Sequence, residues 1–160
     1  MAEEKKKKRR LVKPLLLGAI GLAALIQLVP YGRSHDNPPV TAEPQWDSPE
    51  TQALVKRACY DCHSNETKWP WYSNVAPVSW LVQNDVNEGR EHLNFSEWDR
   101  RQKHADDAAE EVRDGEMPLW VYLPAHPEAR LTDAEKQQLI TGTLRNAEST
   151  GFISVEAAGN

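Results

Sequence analysis

The sequence is short of the residues on which most catalytic sites depend. Its 160 residues include only two cysteines and two methionines, and they contain neither a glycine-rich phosphate loop nor a nucleophile–base arrangement. No segment alternates apolar and polar residues with the period of two that a half-buried strand shows. The sequence therefore predicts an all-α fold and gives no indication of an enzyme.

Positive charge is concentrated at the start of the chain. Lysine and arginine crowd into residues 5–13, although the whole chain carries a formal charge of -5. The rest of the chain is therefore strongly acidic, which disfavours binding to nucleic acid and favours basic protein partners. Residues 1–10 are predicted to form a basic cytoplasmic tail.

A single long apolar run follows the basic residues. From Leu11 to Val29 the only charged residue is Lys13, and a helix of that length would reach about 28 Å, close to the hydrocarbon thickness of a bilayer. We therefore predict a transmembrane anchor in contact with the lipid bilayer over residues 11–30. The N-terminus would lie in the cytoplasm and the rest of the chain on the periplasmic side of the cytoplasmic membrane. A cleaved signal peptide is the alternative, but no small-x-small cleavage site follows the run.

The remainder of the chain divides by composition into three parts. Residues 31–47 are rich in proline and lack an apolar period, so they are predicted to form an extended tether. A globular domain is predicted over residues 48–148 and a flexible tail over residues 149–160. This domain has few large aliphatic residues, and something else is expected to fill its centre.

Four helices are predicted within the globular domain. The first opens at Ser48, Gly89 stops the second, and a longer third helix covers residues 96–115. The last helix begins at a capping box formed by Thr132 and Glu135.

Both cysteines lie in the stretch CYDCHS, where a histidine directly follows the second. A thiol redox pair shares the spacing of Cys59 and Cys62, but such pairs usually occur in folds that contain strands. A zinc site would need about four ligands, and no second Cys/His pair follows. The pattern Cys-x-x-Cys-His is the attachment signature of a c-type haem. In one helical turn both thiols face one side, and His63 faces the same way and can bind the iron.

A second axial ligand is predicted at Met117, which lies before a proline in the loop after the third helix. A thioether ligand would raise the reduction potential relative to ligation by two histidines. The rivals for this position are the other histidines, of which the last is the nearest to Met117 in sequence: His35, His92, His104 and His126.

The stretches CYDCHSNETKWPWYSNVAPVSWLV, EGREHLNFSEW and GEMPLWVYLPAHPEARLTDAEK occur in this order within residues 39–147. Together they resemble the haem-binding domain family of bacterial exported proteins, within the wider class I cytochrome c type. The resemblance implies a cytochrome c-like helical domain with one haem c attached to Cys59 and Cys62 and with His63 as proximal ligand. By similarity to cytochromes c it favours Met117 as the distal ligand. It does not supply a reaction.

A haem with both axial positions filled is closed to oxygen and peroxide, which leaves one-electron transfer. The sequence therefore predicts a membrane-anchored monohaem cytochrome c that carries electrons in a respiratory or photosynthetic chain. Its partner is predicted to be a membrane-bound electron-transfer complex or a basic soluble redox protein. Three alternatives stay open: a haem-based sensor in which Met117 leaves the iron, a structural subunit of a membrane complex, and a thiol oxidoreductase.

Overall fold

The computed structural model describes residues 2–105 and 107–149, with the side chains of residues 12–105 and 107–142. The described part contains no strand, only an isolated bridge between Ala42 and Glu97, which confirms the predicted all-α class. It forms six α-helices and two short 3-10 helices. The α-helices are α1 (Ala2–Ile26), α2 (Pro49–Ala58), α3 (Tyr60–His63), α4 (Val78–His92), α5 (Ala108–Asp114) and α6 (Asp133–Ser149), and the 3-10 helices are Trp71–Asn74 and Pro127–Ala129.

Helix α1 corrects the predicted membrane anchor. It begins at Ala2, before the basic run, and ends at Ile26, so Pro14 lies inside the helix. Its apolar part, from Leu11 onward, is about 24 Å long, which is shorter than the roughly 30 Å hydrocarbon layer of a bilayer. No helix in the described residues is both long and apolar enough to cross a membrane. The predicted transmembrane helix over residues 11–30 and the single-pass membrane location derived from it are therefore wrong.

The described residues divide into two compact units. The first comprises the chain up to His35 together with Trp69–Asn84, and the second comprises Asp36–Lys68 together with the chain from Asp85 onward. All the predicted ligand residues of the Cys-x-x-Cys-His site belong to the second unit.

Polar contacts hold the first unit together. The side-chain amide of Gln27 pairs with the backbone of Ala76, donating to its carbonyl at 2.8 Å and accepting from its N–H at 3.0 Å. The ring of His35 stacks on Trp69 with centroids 4.7 Å apart, and its Nε2 lies 3.0 Å from Oγ of Ser73. His35 is therefore fixed within this unit.

The C-terminal part of the predicted tether is bonded to later parts of the second unit. The Thr41 N–H donates to the Ser96 carbonyl at 2.9 Å, and the Trp98 N–H donates to the Ala42 carbonyl at 3.0 Å. These bonds hold the backbone of residues 41–42 in place, although the segment has no regular spacing of apolar residues that would predict its packing. The domain limits predicted from composition stay predictions, and the predicted tail lies outside the described residues from position 150 onward.

Helix α2 begins where the sequence predicts. Ser48 has an extended backbone, its Oγ accepts a hydrogen bond from the Thr51 N–H at 3.0 Å, and Pro49 occupies the first turn. Cys59 caps the end of α2, and α3 begins at the next residue, Tyr60. Local capping signals thus place the Cys-x-x-Cys-His residues on a short turn directly after α2.

Helix α4 departs from the prediction at Gly89, which does not stop it; the helix continues to His92. Groups from outside the helix bond its last carbonyls. Nη2 of Arg100 donates to the Arg90 carbonyl at 2.9 Å, and the His104 N–H donates to the His92 carbonyl at 3.3 Å. Because the terminal carbonyls of a helix have no partner within it, these bonds stabilise the turn after the glycine.

Helix α5 is much shorter than the helix predicted over residues 96–115. The side chain of Gln102 donates to the carbonyls of Glu97 at 2.7 Å and of Arg100 at 3.1 Å. Such side-chain bonds offer the backbone an alternative to the helix, so the segment before α5 forms turns. The predicted end is confirmed, because α5 stops at Gly115, whose φ of 80° is left-handed.

Helix α6 begins at the predicted capping box. The Thr132 N–H donates to Oε2 of Glu135 at 2.8 Å, and the Glu135 N–H donates to Oγ1 of Thr132 at 3.3 Å. The helix packs against α2 and α5 and buries Leu139 and Ile140. These three helices supply most of the apolar core of the second unit.

Replacing Ser48 by alanine removes the cap of α2, and we expect the free energy of unfolding to fall by about 1 kcal/mol. Ser34→Ala, at an exposed serine outside any helix, is the control and should stay within about 0.5 kcal/mol of wild type. Urea denaturation of both variants measures the difference. Equal losses in the two variants would contradict the capping role.

Candidate functional site

The Cys-x-x-Cys-His residues form one helical turn. The N–H groups of Cys62 and His63 both donate to the Cys59 carbonyl, at 3.2 Å and 2.9 Å. Cys59 and His63 line a cavity of about 430 Å³, and all three residues line a smaller cavity of about 180 Å³ that shares several of its walls. The structure thus brings the three predicted residues together at one site.

The larger cavity is mainly apolar. Its apolar walls come from α2, α5, α6 and the segment after α4, and they include Val55, Ala58, Leu93, Phe95, Val112 and Leu139. Histidine and carboxylate side chains supply the polar part of the lining. A cavity of this size and character suits a large, mostly apolar ligand that is oriented by a few polar groups.

Acidic side chains line the smaller cavity. They are Asp61, Asp85 and Glu88, and the hydroxyl of Tyr122 donates to Oδ2 of Asp61 at 2.7 Å. Burial, together with the nearby charge of Glu88, raises the pKa of Asp85.

The imidazole of His63 has a defined tautomer. Its Nδ1 lies 3.1 Å from the Gly89 carbonyl oxygen and 3.0 Å from the Leu93 carbonyl oxygen. Because carbonyls only accept hydrogen bonds, Nδ1 carries the proton and Nε2 keeps its lone pair. Burial lowers the pKa of His63, although the two carbonyls act in the opposite direction. The side chain is therefore a neutral imidazole held through Nδ1, which is how metal-ligating histidines are generally oriented.

Gly89 brings α4 against the Cys-x-x-Cys-His turn. A Cβ at this position would lie 2.5 Å from the Cys62 carbonyl oxygen and 3.1 Å from the Cys62 Cβ. Only glycine allows this approach, through which the Gly89 carbonyl comes within reach of His63. Sequence reasoning treated Gly89 as a helix stop and missed this role. A glycine within a helical pattern is the signal that could have indicated it.

Met117 lines both cavities. The turn after α5 positions it, since Gly115 is left-handed and the Met117 N–H donates to the Glu111 carbonyl at 3.1 Å. Met117 shares the larger cavity with His63, which is a condition for the predicted axial pair. Its side chain also packs against a cluster of buried residues, namely Ala109, Val112 and Ile140.

Distance along the sequence from Met117 does not predict which of the rival histidines lie near His63. His126, the nearest rival in sequence, stacks on Tyr122 with ring centroids 3.9 Å apart. His92 and His104 line the larger cavity, and their ring centroids lie 4.8 Å apart. These two histidines, rather than His126, share that cavity with His63.

The two thiols are not joined in a disulfide. Burial raises the pKa of Cys59 and of Cys62 to about 12, and the charge of Cys62 on Cys59 and of Asp85 on Cys62 acts in the same direction. A reactive thiol pair needs an easily formed thiolate, so these values disfavour the dithiol alternative. Within the described residues, no group of three or more His, Cys, Asp or Glu side chains can hold a metal ion, so the zinc alternative has no support there.

Replacing Gly89 by alanine would push α4 away from Cys62, and we expect the free energy of unfolding to fall by about 1–3 kcal/mol. The matched control is Gly21→Ala in α1, where a Cβ meets nothing within 4 Å. This control should be neutral or stabilising, because alanine favours a helix over glycine by about 1 kcal/mol. Urea denaturation compares the two variants, and a Gly89→Ala protein as stable as Gly21→Ala would contradict the close approach.

The residues of the larger cavity fit a haem. The apolar walls match the body of a porphyrin, and a neutral imidazole with a free Nε2 provides the nitrogen that haem iron prefers. The sulfur atoms of Cys59 and Met117 belong to residues of the same lining. Of these lining residues, His63 and Met117 are the ones that could hold the iron.

Comparison with known protein families gives a match. The haem-binding domain family matches residues 21–144, a range that includes every residue lining the two cavities. No curated protein and no solved structure matches the chain. The match supports haem as the cofactor that the motifs predict. Since it covers well over half of the sequence, the chain belongs to the haem-binding domain family.

Proposed function

We propose that this haem protein is a monohaem cytochrome c that transfers single electrons in an electron-transfer chain. Its haem is bonded through thioethers to Cys59 and Cys62, with His63 and Met117 as axial ligands. When bound, the haem iron supplies the one-electron couple. The chain contributes attachment, ligand choice and an apolar enclosure, and it acts as a carrier rather than as a catalyst.

The placement of His63 is the observation that carries the proposal. Its Nδ1 donates to two backbone carbonyls while its side chain lines the larger cavity. These bonds turn the unprotonated Nε2 into the only ring nitrogen that can bind iron. Because a buried core histidine also needs an acceptor for its N–H, the feature that distinguishes His63 is that its side chain lines an apolar cavity of about 430 Å³.

The positions of the cysteines support covalent attachment. Cys59 and Cys62 are three residues apart on one turn, with the N–H of Cys62 bonded to the Cys59 carbonyl at 3.2 Å. Thiols on one side of a turn can each reach one of the two vinyl groups at neighbouring corners of a porphyrin. Their raised pKa values disfavour a role as redox nucleophiles.

Met117 is the best-supported second ligand. Its thioether is half-buried among apolar side chains and shares both cavities with His63. His92 and His104 are exposed, so a buried haem iron is less accessible to them. Ligation by His63 and Met117 would close the iron to exogenous ligands and leave electron transfer as its chemistry.

The charge of the chain supports a basic redox partner. The formal charge is -5 even with the basic N-terminal run included, and the smaller cavity adds three acidic residues to the wall near Cys62. Opposite charges accelerate encounter and orient the two proteins at moderate ionic strength.

Covalent attachment is tested in cells that mature c-type haem. We expect the wild-type band to stain for haem on a denaturing gel, and the double variant Cys59→Ala/Cys62→Ala to lose the stain. Met117→Ala should keep the stain but lose the sulfur-to-iron absorption band and bind carbon monoxide when reduced. His126→Ala, which removes a histidine outside the cavities, is the control and should keep both properties.

Two outcomes of these assays would contradict the proposal. A wild-type protein that folds without staining would rule out the covalent haem. Carbon monoxide binding by the reduced wild-type protein at neutral pH would show an open iron and favour a haem-based sensor.

Electron transfer is tested by stopped flow with the reduced wild-type protein. We expect a basic soluble redox protein to oxidise it in a single exponential phase, with a second-order rate constant that falls about tenfold or more as salt rises from low to high ionic strength. An acidic redox protein of similar potential is the control and should react more slowly at low salt. Failure to transfer electrons to either acceptor would favour a structural role for the haem.

A further inference from the structure

We propose that Asn94 is a positioning residue that sets the reduction potential of the haem through the Leu93 carbonyl. Asn94 does not line either cavity, so it would act through His63. The inference rests on the proposed ligation by His63. It assigns a task to a buried polar network that the haem site itself leaves unexplained.

The Leu93 carbonyl lies just beyond the end of α4, where a helix leaves its carbonyls without partners. Its oxygen accepts from Nδ1 of His63 at 3.0 Å. The Gly89 carbonyl, the other acceptor, belongs to the helix and also accepts from the Leu93 N–H at 2.9 Å. Of the two acceptors, the Leu93 carbonyl therefore depends more on the residue after it in the chain, Asn94.

Three hydrogen bonds to neighbouring residues hold Asn94 in place. Its N–H donates to Oε1 of Gln102 at 2.8 Å, and its Oδ1 accepts from the Ser96 N–H at 2.9 Å. Its Nδ2 donates to Oδ1 of Asn65 at 2.9 Å. Asn65, Asn94 and Gln102 are all at most 4% exposed, so each bond is protected from competition by water.

The same network holds the chain on the His63 side. The Phe95 N–H donates to the His63 carbonyl at 2.8 Å, and the Asn65 N–H donates to Oγ of Ser96 at 2.9 Å. These two bonds join residues 63–65, at the end of the Cys-x-x-Cys-His turn, to residues 95–96, which follow α4. This pairing fixes the distance between Nδ1 of His63 and the Leu93 carbonyl oxygen.

A firmly held acceptor makes the imidazole a stronger electron donor, because the Nδ1–H bond shares its proton with the carbonyl. A stronger donor stabilises ferric over ferrous iron and lowers the reduction potential. Loosening the Leu93 carbonyl should therefore raise the potential while leaving the axial ligands in place.

The test is redox titration of haem-loaded Asn94→Ala and Gln102→Leu. Asn84→Ala, at an exposed asparagine of α4, is the matched control. In both network variants we expect the ratio of reduced to oxidised protein at a fixed ambient potential to rise about tenfold, which is about 59 mV for a one-electron couple. Asn84→Ala should match wild type. Network variants that keep the haem stain and the sulfur-to-iron band but titrate with the wild-type potential would overturn the proposal.

A second measurement covers the case in which the network variants fail to fold. In reduced, ¹⁵N-labelled wild-type protein, the Nδ1–H proton of His63 should be visible by NMR and exchange with solvent at least a hundredfold more slowly than that of an exposed histidine. Rapid exchange would overturn the proposal, because the acceptor would then not be held. A wild-type protein without haem would instead show that the proposed function itself has failed.

Discussion

The pair of hydrogen bonds from Nδ1 of His63 to the carbonyls of Gly89 and Leu93 joins the fold of this protein to its chemistry. The bonds satisfy carbonyls at the end of α4, and they fix which nitrogen of the imidazole carries the proton. They require α4 to approach the Cys-x-x-Cys-His turn so closely that only a glycine fits at position 89. The tautomer of His63 is thus a consequence of how α4 packs against this turn.

A bound cofactor would also explain why the second unit has few large aliphatic side chains in its core. The second unit has an apolar cluster around Val55 and Leu139, but a cavity of about 430 Å³ opens between these residues and His63. A ligand that binds only the folded chain stabilises it by mass action. A haem placed there would cover apolar walls that water wets poorly and would supply bulk that the side chains lack. Membership of the haem-binding domain family agrees with this requirement.

Features that depend on neighbouring residues were predicted well from the sequence, whereas features that depend on long-range contacts were predicted poorly. The caps at Ser48 and Thr132 depend on neighbouring residues alone, and the structure confirms both. The prediction of a transmembrane helix was wrong, because the length of the apolar run in the sequence did not show where α1 begins and ends. Gly89 was misread because its role depends on Cys62, which is remote in sequence. The sequence spacing also indicated that Cys59, Cys62 and His63 share one turn, because that turn is local. The buried amides around Asn94, by contrast, are joined by contacts that no sequence period reveals.

The most direct test of the central claim is the hyperfine coupling of the ferric iron in protein labelled with ¹⁵N at histidine. The proposed ligation predicts strong coupling to a nitrogen of one histidine, lost in His63→Ala and retained in His126→Ala. Strong coupling to two histidines would mean that a second imidazole has taken the place of Met117. An oxidised haem protein without strong coupling to any histidine nitrogen would contradict the role of His63, on which the account of the site rests.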